Sequence, residues 1–468
     1  MRDRSIVVLD AGKTHAKLTL WSPGGSLVAR RSRPNAPIQS GPYRALDAAG
    51  IEAWTAATLA EFAALERIGV IIPVGHGAAA AYIQQDRLAA QPFDYEQSIP
   101  PAVRAAYDVR RDAFARTGSP PLPYGLNLGA QLFWLEQLQP ALKGPDVTIV
   151  PWAQYWAWVL CGVAAAEPTS LGCHTDLWCP LTAQPSALAV AMGWDKRLAP
   201  LRRAGDVLGT LRPDWVRRTG LAADTQVLCG LHDSNAALLA ARGFNESAER
   251  AATVISTGTW FVAMRSQDAG ETSLLPEHRD CLWNVDAFGK LVPSARFMGG
   301  RELELLSACE GAHVDDATIQ AQMLAAVSEV ITAGAMVLPT LAPGCGPYPH
   351  AAHCWRTRPS ERIARLAASC LYAALVMDSA LSLIGAKGSV LVEGRFADAQ
   401  VFVRALGALR PDQSVYTSPA HDGVARGALS LVKPDLAAES ARVHALPADL
   451  SSYADEWRRK ADQLEQAG

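Results

Sequence analysis

Three short stretches carry residue types that can move a proton or hold phosphate. The first is Gly230-Leu231-His232-Asp233-Ser234-Asn235-Ala236-Ala237. The apolar run Gln226-Val227-Leu228-Cys229 before it reads as a buried strand, and Ala237-Leu238-Leu239-Ala240-Ala241 behind it forms helix readily. Asp233 therefore falls at a strand-to-helix turn, with Ser234 and Asn235 as helix caps. α/β proteins set catalytic side chains at that edge of a sheet. An acid there either takes a proton from a substrate or simply caps the helix.

The second stretch is Asp10-Ala11-Gly12-Lys13-Thr14, which ends the β-branched run Ser5-Ile6-Val7-Val8-Leu9. Gly-Lys-Thr is how a P-loop ends, but that motif needs a glycine five residues earlier, and Val7 stands there. The chain also runs on into a second alternating segment, Ala16–Trp21, so the two form a β-hairpin. An acid at a strand end with a polar turn can hold Mg²⁺ through water while Lys13, Thr14 and the turn N–H groups donate to phosphate oxygens. The alternative is an ordinary hairpin with a polar turn. The third stretch repeats the design: Thr253-Val254-Ile255, then Ser256-Thr257-Gly258-Thr259, then Trp260-Phe261-Val262-Ala263. Its hydroxyls and N–H groups suit a polyphosphate. Two such hairpins, one opening each half of the chain, suggest a duplicated architecture.

The intervening elements must position these turns. Ile51–Ala64 reads as an amphipathic helix, and Val70–Val74 as a strand that leads to Gly75-His76-Gly77-Ala78, where His76 is either a ligand contact or a structural histidine. Ala130–Leu138 reads as a helix and Val147–Pro151 as a strand; Trp152, Trp156 and Trp158 follow as core side chains on another helix. The Arg- and Pro-rich segment Thr210–Gly220 is expected at the surface. In the second half, helix Glu361–Ile384, strand Ser389–Arg395, helix Asp398–Leu409 and strand Ser414–Tyr416 precede a helix starting at His421-Asp422-Gly423. The glycines there leave room for an adenine or ribose, or serve plain capping.

Composition narrows the class. A chain of 468 residues needs two or three domains, and 49% hydrophobic with 19% charged residues describes a globular protein with a large core. A net charge of −3 without a basic block argues against nucleic acid as a partner. Nine scattered cysteines with no Cys-x-x-Cys read as core residues of a reducing compartment, and Cys173-His174 with Cys179 fits no zinc template. The N-terminal apolar run is too short for a signal peptide and no uninterrupted apolar run is long enough to span a bilayer, so a cytoplasmic protein with no membrane partner is expected.

Taken in order, these blocks resemble the FGGY family of carbohydrate kinases over nearly the whole chain. The resemblance rests on Asp10–Thr14 and Ser256–Trp260 as two phosphate loops, Gly230–Asp233 as the catalytic segment, and Gly394 with Gly423–Gly427 as the nucleotide side. It implies an α/β fold of two actin-like (ribonuclease-H-like) ATPase domains with a cleft between them. We place the sugar domain at 1–245 and the nucleotide domain at 246–468. It implies ATP and Mg²⁺, Asp233 as general base, Asp10 on the metal side, and Gly12, Lys13, Thr14, Thr257, Gly258, Thr259, Gly394, Arg395 and Gly423 at nucleotide or phosphate. His76 matches the Met-His-Gly-Ala run of xylulose kinases and joins Asp94, Trp21 and His232 as sugar-contact candidates. Ser-x-Gly-Thr-Trp is closer to the L-rhamnulose and L-fuculose kinases. A small ketose is the implied substrate, with a 6-deoxyketohexose ahead of a ketopentose or polyol; a homodimer is left open. Two departures stand out. Glu393-Gly394-Arg395-Phe396 replaces the usual Gly-Gly pair, so that Arg395 either stacks on adenine or blocks it, and no Trp-x-Asp-x-Arg segment is evident near Asp94. A non-catalytic actin-fold nucleotide switch or sugar sensor is the rival from another class.

Overall fold

The computed structural model describes residues 4–242, 252–266, 274–308, 310–418, 422–436 and 440–468. His421, Cys309 and the expected boundary at 245/246 lie outside them. The chain folds into two units: Met1–Ala240 with Trp283–Leu291 and Val424–Leu436, and Ala241–Leu282 with Val292–Gly423 and Ala437–Gly468.

Unit 1 is built on strands β1 (Ser5–Ala11), β2 (His15–Trp21) and β3 (Leu27–Pro34), helix α1 (Ala48–Ala63), and strand β4 (Ile68–Gly75). Helices α2 (Leu128–Leu138) and α3 (Trp152–Cys161) and the turn α4 (Pro168–Leu171) follow. Then come β5 (Val207–Thr210), α5 (Pro213–Thr219), β6 (Gln226–Leu228), β7 (Leu231–His232) and α6 (Asp233–Arg242). The sheet runs β5-β6-β4-β1-β2-β3, with β7 also paired to β4. The β1–β2 hairpin is antiparallel, and β4 is parallel to β1, β6 and β7. Apolar residues on both faces of β1 and β4 are buried, as expected of parallel strands covered on each side. Val7, Leu9 and Ile71 pack with Leu59, Phe62 and Trp156. Ile6, Val8, Ile72 and Val74 pack on the other side with Ala236 and Leu239 of α6 and with Ala425, Ala428 and Leu429.

Unit 2 repeats the plan. Strands β8 (Ala252–Thr257), β9 (Phe261–Arg265), β10 (Cys281–Val285) and β11 (Leu291–Phe297) lead to α7 (Gly299–Ser307) and α8 (Arg362–Leu383). Strand β12 (Ser389–Gly394), α9 (Gln400–Leu409), β13 (Ser414–Thr417) and β14 (Ala441–Arg442) follow, while α10 (Gly423–Ser430), which comes before β14 in the chain, belongs from Val424 onward to unit 1. The sheet order is β10-β11-β9-β8-β12-β13-β14. Here β8 is antiparallel to β9 and parallel to β12, just as β1 is to β2 and β4. Helix α8 is long and apolar enough to cross a membrane by length and composition, but 89% of its apolar window is buried inside the protein, as in a core helix.

Two local expectations change. Thr210–Gly220 is not plain surface: Pro213 opens α5, Gly220 ends it in the left-handed region, and Trp215 is 1% exposed in the core. Exposed Arg217 and Arg218 give the segment its polar look, and the Arg218 guanidinium lies 4.5 Å over the Trp215 ring. Ser234 and Asn235 are not caps, because the helix already begins at Asp233.

The turn before Asp233 is a break in a strand. The ladder along β4 stops at Val227 opposite Ile71 and resumes at Leu231 opposite Val74. Of the three residues between, Leu228 pairs only with Val207 of β5, and the N–H groups of Cys229 and Gly230 donate to the Asp206 and Ala204 carbonyls at 2.9 and 3.0 Å. Gln154 Nε2 of α3 donates to the Cys229 and Gly230 carbonyls at 3.3 and 3.1 Å, so each backbone group of these two residues has a partner. Gly230 has φ +77, and a Cβ there would lie 2.0 Å from the Pro73 carbonyl oxygen. Gly193, at φ +66, has nothing within 4 Å. Gly230→Ala should therefore cost at least about 2 kcal/mol in chemical denaturation, and Gly193→Ala about 1 kcal/mol, since only the backbone strain is shared. Equal losses would mean that the close approach to Pro73 is not a constraint.

Candidate functional site

Strand alternation places Asp10 on the same face of β1 as Ile6 and Val8, the face covered by α6. Lys17 lies directly opposite it on β2. Burial pushes the Asp10 carboxyl up to about 7, Lys17 pulls it down, and the negative charge of Asp233 pushes it up further. Two carboxylates thus share one low-dielectric corner. Hard oxygens so arranged suit Mg²⁺, whose charge would favour the ionised form of Asp10.

Asp233, the first residue of α6, keeps 28% of its side chain exposed. Its Oδ1 accepts from Ser234 N–H at 2.6 Å and the Ser234 hydroxyl at 3.2 Å, and lies 3.3 Å from His232 Nε2. Its Oδ2 carries no hydrogen bond among the described residues, so one oxygen is anchored and the other is open to a proton. His232 is oriented by Asn235 Nδ2, 3.1 Å from its Nδ1; with Nδ1 accepting, the imidazole proton sits on Nε2, toward Asp233. Burial lowers the His232 pKa against the pull of Asp233. Asn235, expected as a cap, instead fixes this imidazole.

Two of the sugar-side candidates, Asp94 and His76, fall into one group with the first turn. Lys13 Nζ lies 3.0 Å from Asp94 Oδ1, 3.7 Å from Glu96 Oε2 and 5.7 Å from the Tyr95 ring centre. The edge of Tyr95 meets His76, with ring centres 5.4 Å apart. Lys13 is thus committed to Asp94, which is fully buried, rather than standing free for phosphate. His76 Nδ1 donates to the Gly77 carbonyl at 2.6 Å, and burial lowers its pKa to about 4, so the ring is neutral at pH 7. Its Nε2 is then an acceptor, buried and unpartnered among the described residues. Gly77 keeps this corner open: a Cβ would come within 2.9 Å of both Cys173 Sγ and His232 Nε2. Thr14 is exposed in the turn, and the Gly12 carbonyl accepts from Asn35 Nδ2 at 2.8 Å.

Trp21 is a core side chain. It is 0% exposed, donates Nε1–H to Thr19 Oγ1 at 2.9 Å and lies under Arg426. Tyr95 and Gln154 were not singled out in sequence. Tyr95 sits beside the chosen Asp94, but nothing in its neighbourhood marks Gln154 as a support for a segment 75 residues away.

In unit 2, Gly258 and Thr259 are exposed at the tip of the β8–β9 turn. The start of α7 closes on that tip, where a Cβ on Gly300 would lie 1.9 Å from the Gly258 carbonyl oxygen. The pair Gly299-Gly300 was a legible signal that went unread. Thr257 is buried and its hydroxyl is used structurally, donating to the Glu393 carbonyl at 2.5 Å and accepting from Phe396 N–H at 3.1 Å. Gly394 is required at φ +88, because a Cβ would meet the Thr257 carbonyl at 2.3 Å. Arg395 is taken up by Asp315, at 2.7 and 3.0 Å, and by Glu304 at 3.2 Å, which holds it over Phe396. The space beside Gly423 is filled by the Glu393 carboxylate, 1.5 Å from where a Cβ would stand.

Removing Lys13 leaves the Asp94 carboxylate with Arg44, at 3.8 Å, as its remaining ion-pair partner among the described residues. Breaking a buried pair costs about 3–5 kcal/mol, whereas removing both charges costs much less. Lys13→Met should therefore lower stability in urea more than the double variant Lys13→Met/Asp94→Asn does. Equal loss in both would show that the pair is not coupled.

Residues 249–440 match the family model for the carbohydrate kinase FGGY C-terminal domain. An L-fuculokinase of Salmonella typhi is 32% identical over 116 residues, and that match spans 24% of each protein. A xylulose kinase structure from Rhodospirillum rubrum shares the fold at a TM-score of 0.77 and 18% identity, over 99% of this chain and 98% of that one. A carbohydrate kinase structure from Novosphingobium aromaticivorans is 51% identical at a TM-score of 0.92, covering 99% of this chain and 100% of its own. That likeness runs from end to end of both chains, and with it the chain belongs to the FGGY family of carbohydrate kinases.

Proposed function

We propose that the protein phosphorylates a small ketose with ATP, and that the substrate is a 6-deoxyketohexose of the L-fuculose or L-rhamnulose type. The observation that carries the chemistry is the divided carboxylate of Asp233: Oδ1 is held by Ser234 and His232, and Oδ2 is open. In that role Oδ2 takes the proton of a sugar hydroxyl as its oxygen bonds to the γ-phosphorus of ATP. The bond from that phosphorus to the β,γ-bridging oxygen breaks, and ADP leaves. Neutral His76 offers its Nε2 lone pair to a second hydroxyl and so helps set which oxygen reaches the base. When bound, Mg²⁺ offsets the charge of the phosphates; Asp10 is the residue that would hold it, through water. In unit 2, the exposed Gly258 and Thr259 beside the N-terminus of α7 are the phosphate donors of this reading.

The partial likeness to an L-fuculokinase and the Ser-x-Gly-Thr-Trp run support the deoxyketose. A ketopentose is favoured instead by one feature, the Gly75-His76-Gly77-Ala78 run. ADP release with Mg-ATP across L-fuculose, L-rhamnulose, D- and L-xylulose, L-ribulose, D-fructose and glycerol separates the two. The account expects kcat/KM for one deoxyketose to exceed that for every pentulose by at least about tenfold. Preference for a pentulose would overturn the substrate, and silence across the panel would overturn the ketose class.

A further inference from the structure

Behind the Asp233 turn stands a buried carboxylate that no step of the reaction uses. Glu167 is 1% exposed and precedes α4. Its Oε2 accepts from Thr169 N–H at 2.9 Å, from Ser170 N–H at 3.1 Å and from the Thr169 hydroxyl. Burial pushes this carboxyl up to about 7 while the same hydrogen bonds hold it down, so they are what makes the charge tolerable there. A threonine hydroxyl has one proton and two lone pairs. With the proton given to Glu167, Thr169 presents lone pairs to its other side, where the His232 backbone N–H donates to it at 3.0 Å. Thr169 is 0% exposed, so the His232 amide has no ready substitute in water. His232 ends β7, and the next residue is Asp233.

We infer that Glu167 and Thr169 are positioning residues for the Asp233 base: the carboxylate fixes the direction of the threonine hydroxyl, which clamps the His232 amide and sets the angle at which Asp233 leaves the strand. The inference rests on the reading of Asp233 as base. It gives the Glu-Pro-Thr run a task in catalysis beyond capping a single helical turn. Misplacement of a reacting group by about 1 Å costs on the order of 10²-fold in rate, so a clamp of this kind should register in kcat and leave ATP binding alone.

A double-mutant cycle tests it. Thr169→Val keeps the branched shape and loses the hydroxyl. Alone, it should lower kcat about ten- to a hundredfold with KM for ATP unchanged, and Thr169→Ser should rescue most of that loss. In an Asp233→Asn background, adding Thr169→Val should change the residual turnover less than about twofold, because the group it positions is already gone. Wild-type kcat in Thr169→Val, or the same proportional loss in both backgrounds, would overturn the inference. Full turnover in Asp233→Asn alone would instead strike the reading of Asp233. If near-UV circular dichroism shows that Thr169→Val does not fold, Glu167→Gln takes its place under the same criteria, because an amide can donate to the hydroxyl and undo its fixed direction.

Discussion

The structure around Asp233 depends on one interruption in a β-ladder. Strand β4 pairs with β6 and then with β7, and the two residues between them cannot pair because Gly230 packs against the Pro73 carbonyl. A broken ladder inside a core leaves donors and acceptors that each need a partner. Ala204, Asp206 and Gln154 supply those partners. The side chain of α3 that does this is buried, and Trp152 on the same helix donates to the Ala11 carbonyl at 3.0 Å. One helix thereby braces both the Asp10 turn and the Asp233 turn, so their relative placement is a property of the core of unit 1.

Electrostatics follow from that placement. Bringing Asp10 and Asp233 into one partly desolvated corner is unfavourable for the protein alone, and the raised pKa of Asp10 records it. Lys17 relieves part of the repulsion, and Lys13 is spent on a different acid, Asp94. The two lysines of the first hairpin therefore serve the protein's own carboxylates, one partly and one largely. In unit 2 the same economy applies, since Thr257 and Arg395 are held by intramolecular partners and the exposed atoms of the turn are those of Gly258 and Thr259. Residues held by the protein's own contacts and residues left exposed thus differ within each loop.

Much of this was legible in the chain itself. Both hairpins, β4, α2, the tryptophan-bearing α3, the strand–turn–helix at Asp233 and the order α8-β12-α9-β13 follow from apolar periodicity and turn residues, which encode local structure directly. The duplicated plan was legible because Asp10–Thr14 and Ser256–Thr259 occupy the same place in two similar hairpins. What escaped was set by tertiary contact. Nothing local distinguishes Trp21, a core residue, from a sugar platform, or shows that Thr257 gives its proton to Glu393. Thr210–Gly220 misled because arginines on one side of a short helix hide the buried Trp215 on the other. Gln154 acts on carbonyls far along the sequence, and no spacing rule reaches that distance.

The central claim is that Asp233 is the base of a sugar kinase and that its contribution lies in the chemical step. The direct test is Asp233→Asn with the preferred sugar, measured two ways: the sugar Kd by calorimetry and the rate of ADP formation in a single turnover with saturating ATP. The account predicts a Kd within a few-fold of the parent protein and a chemical rate lower by about 10²–10⁴-fold. A chemical rate equal to that of the parent protein would contradict it, and so would a loss explained wholly by failure to bind the sugar.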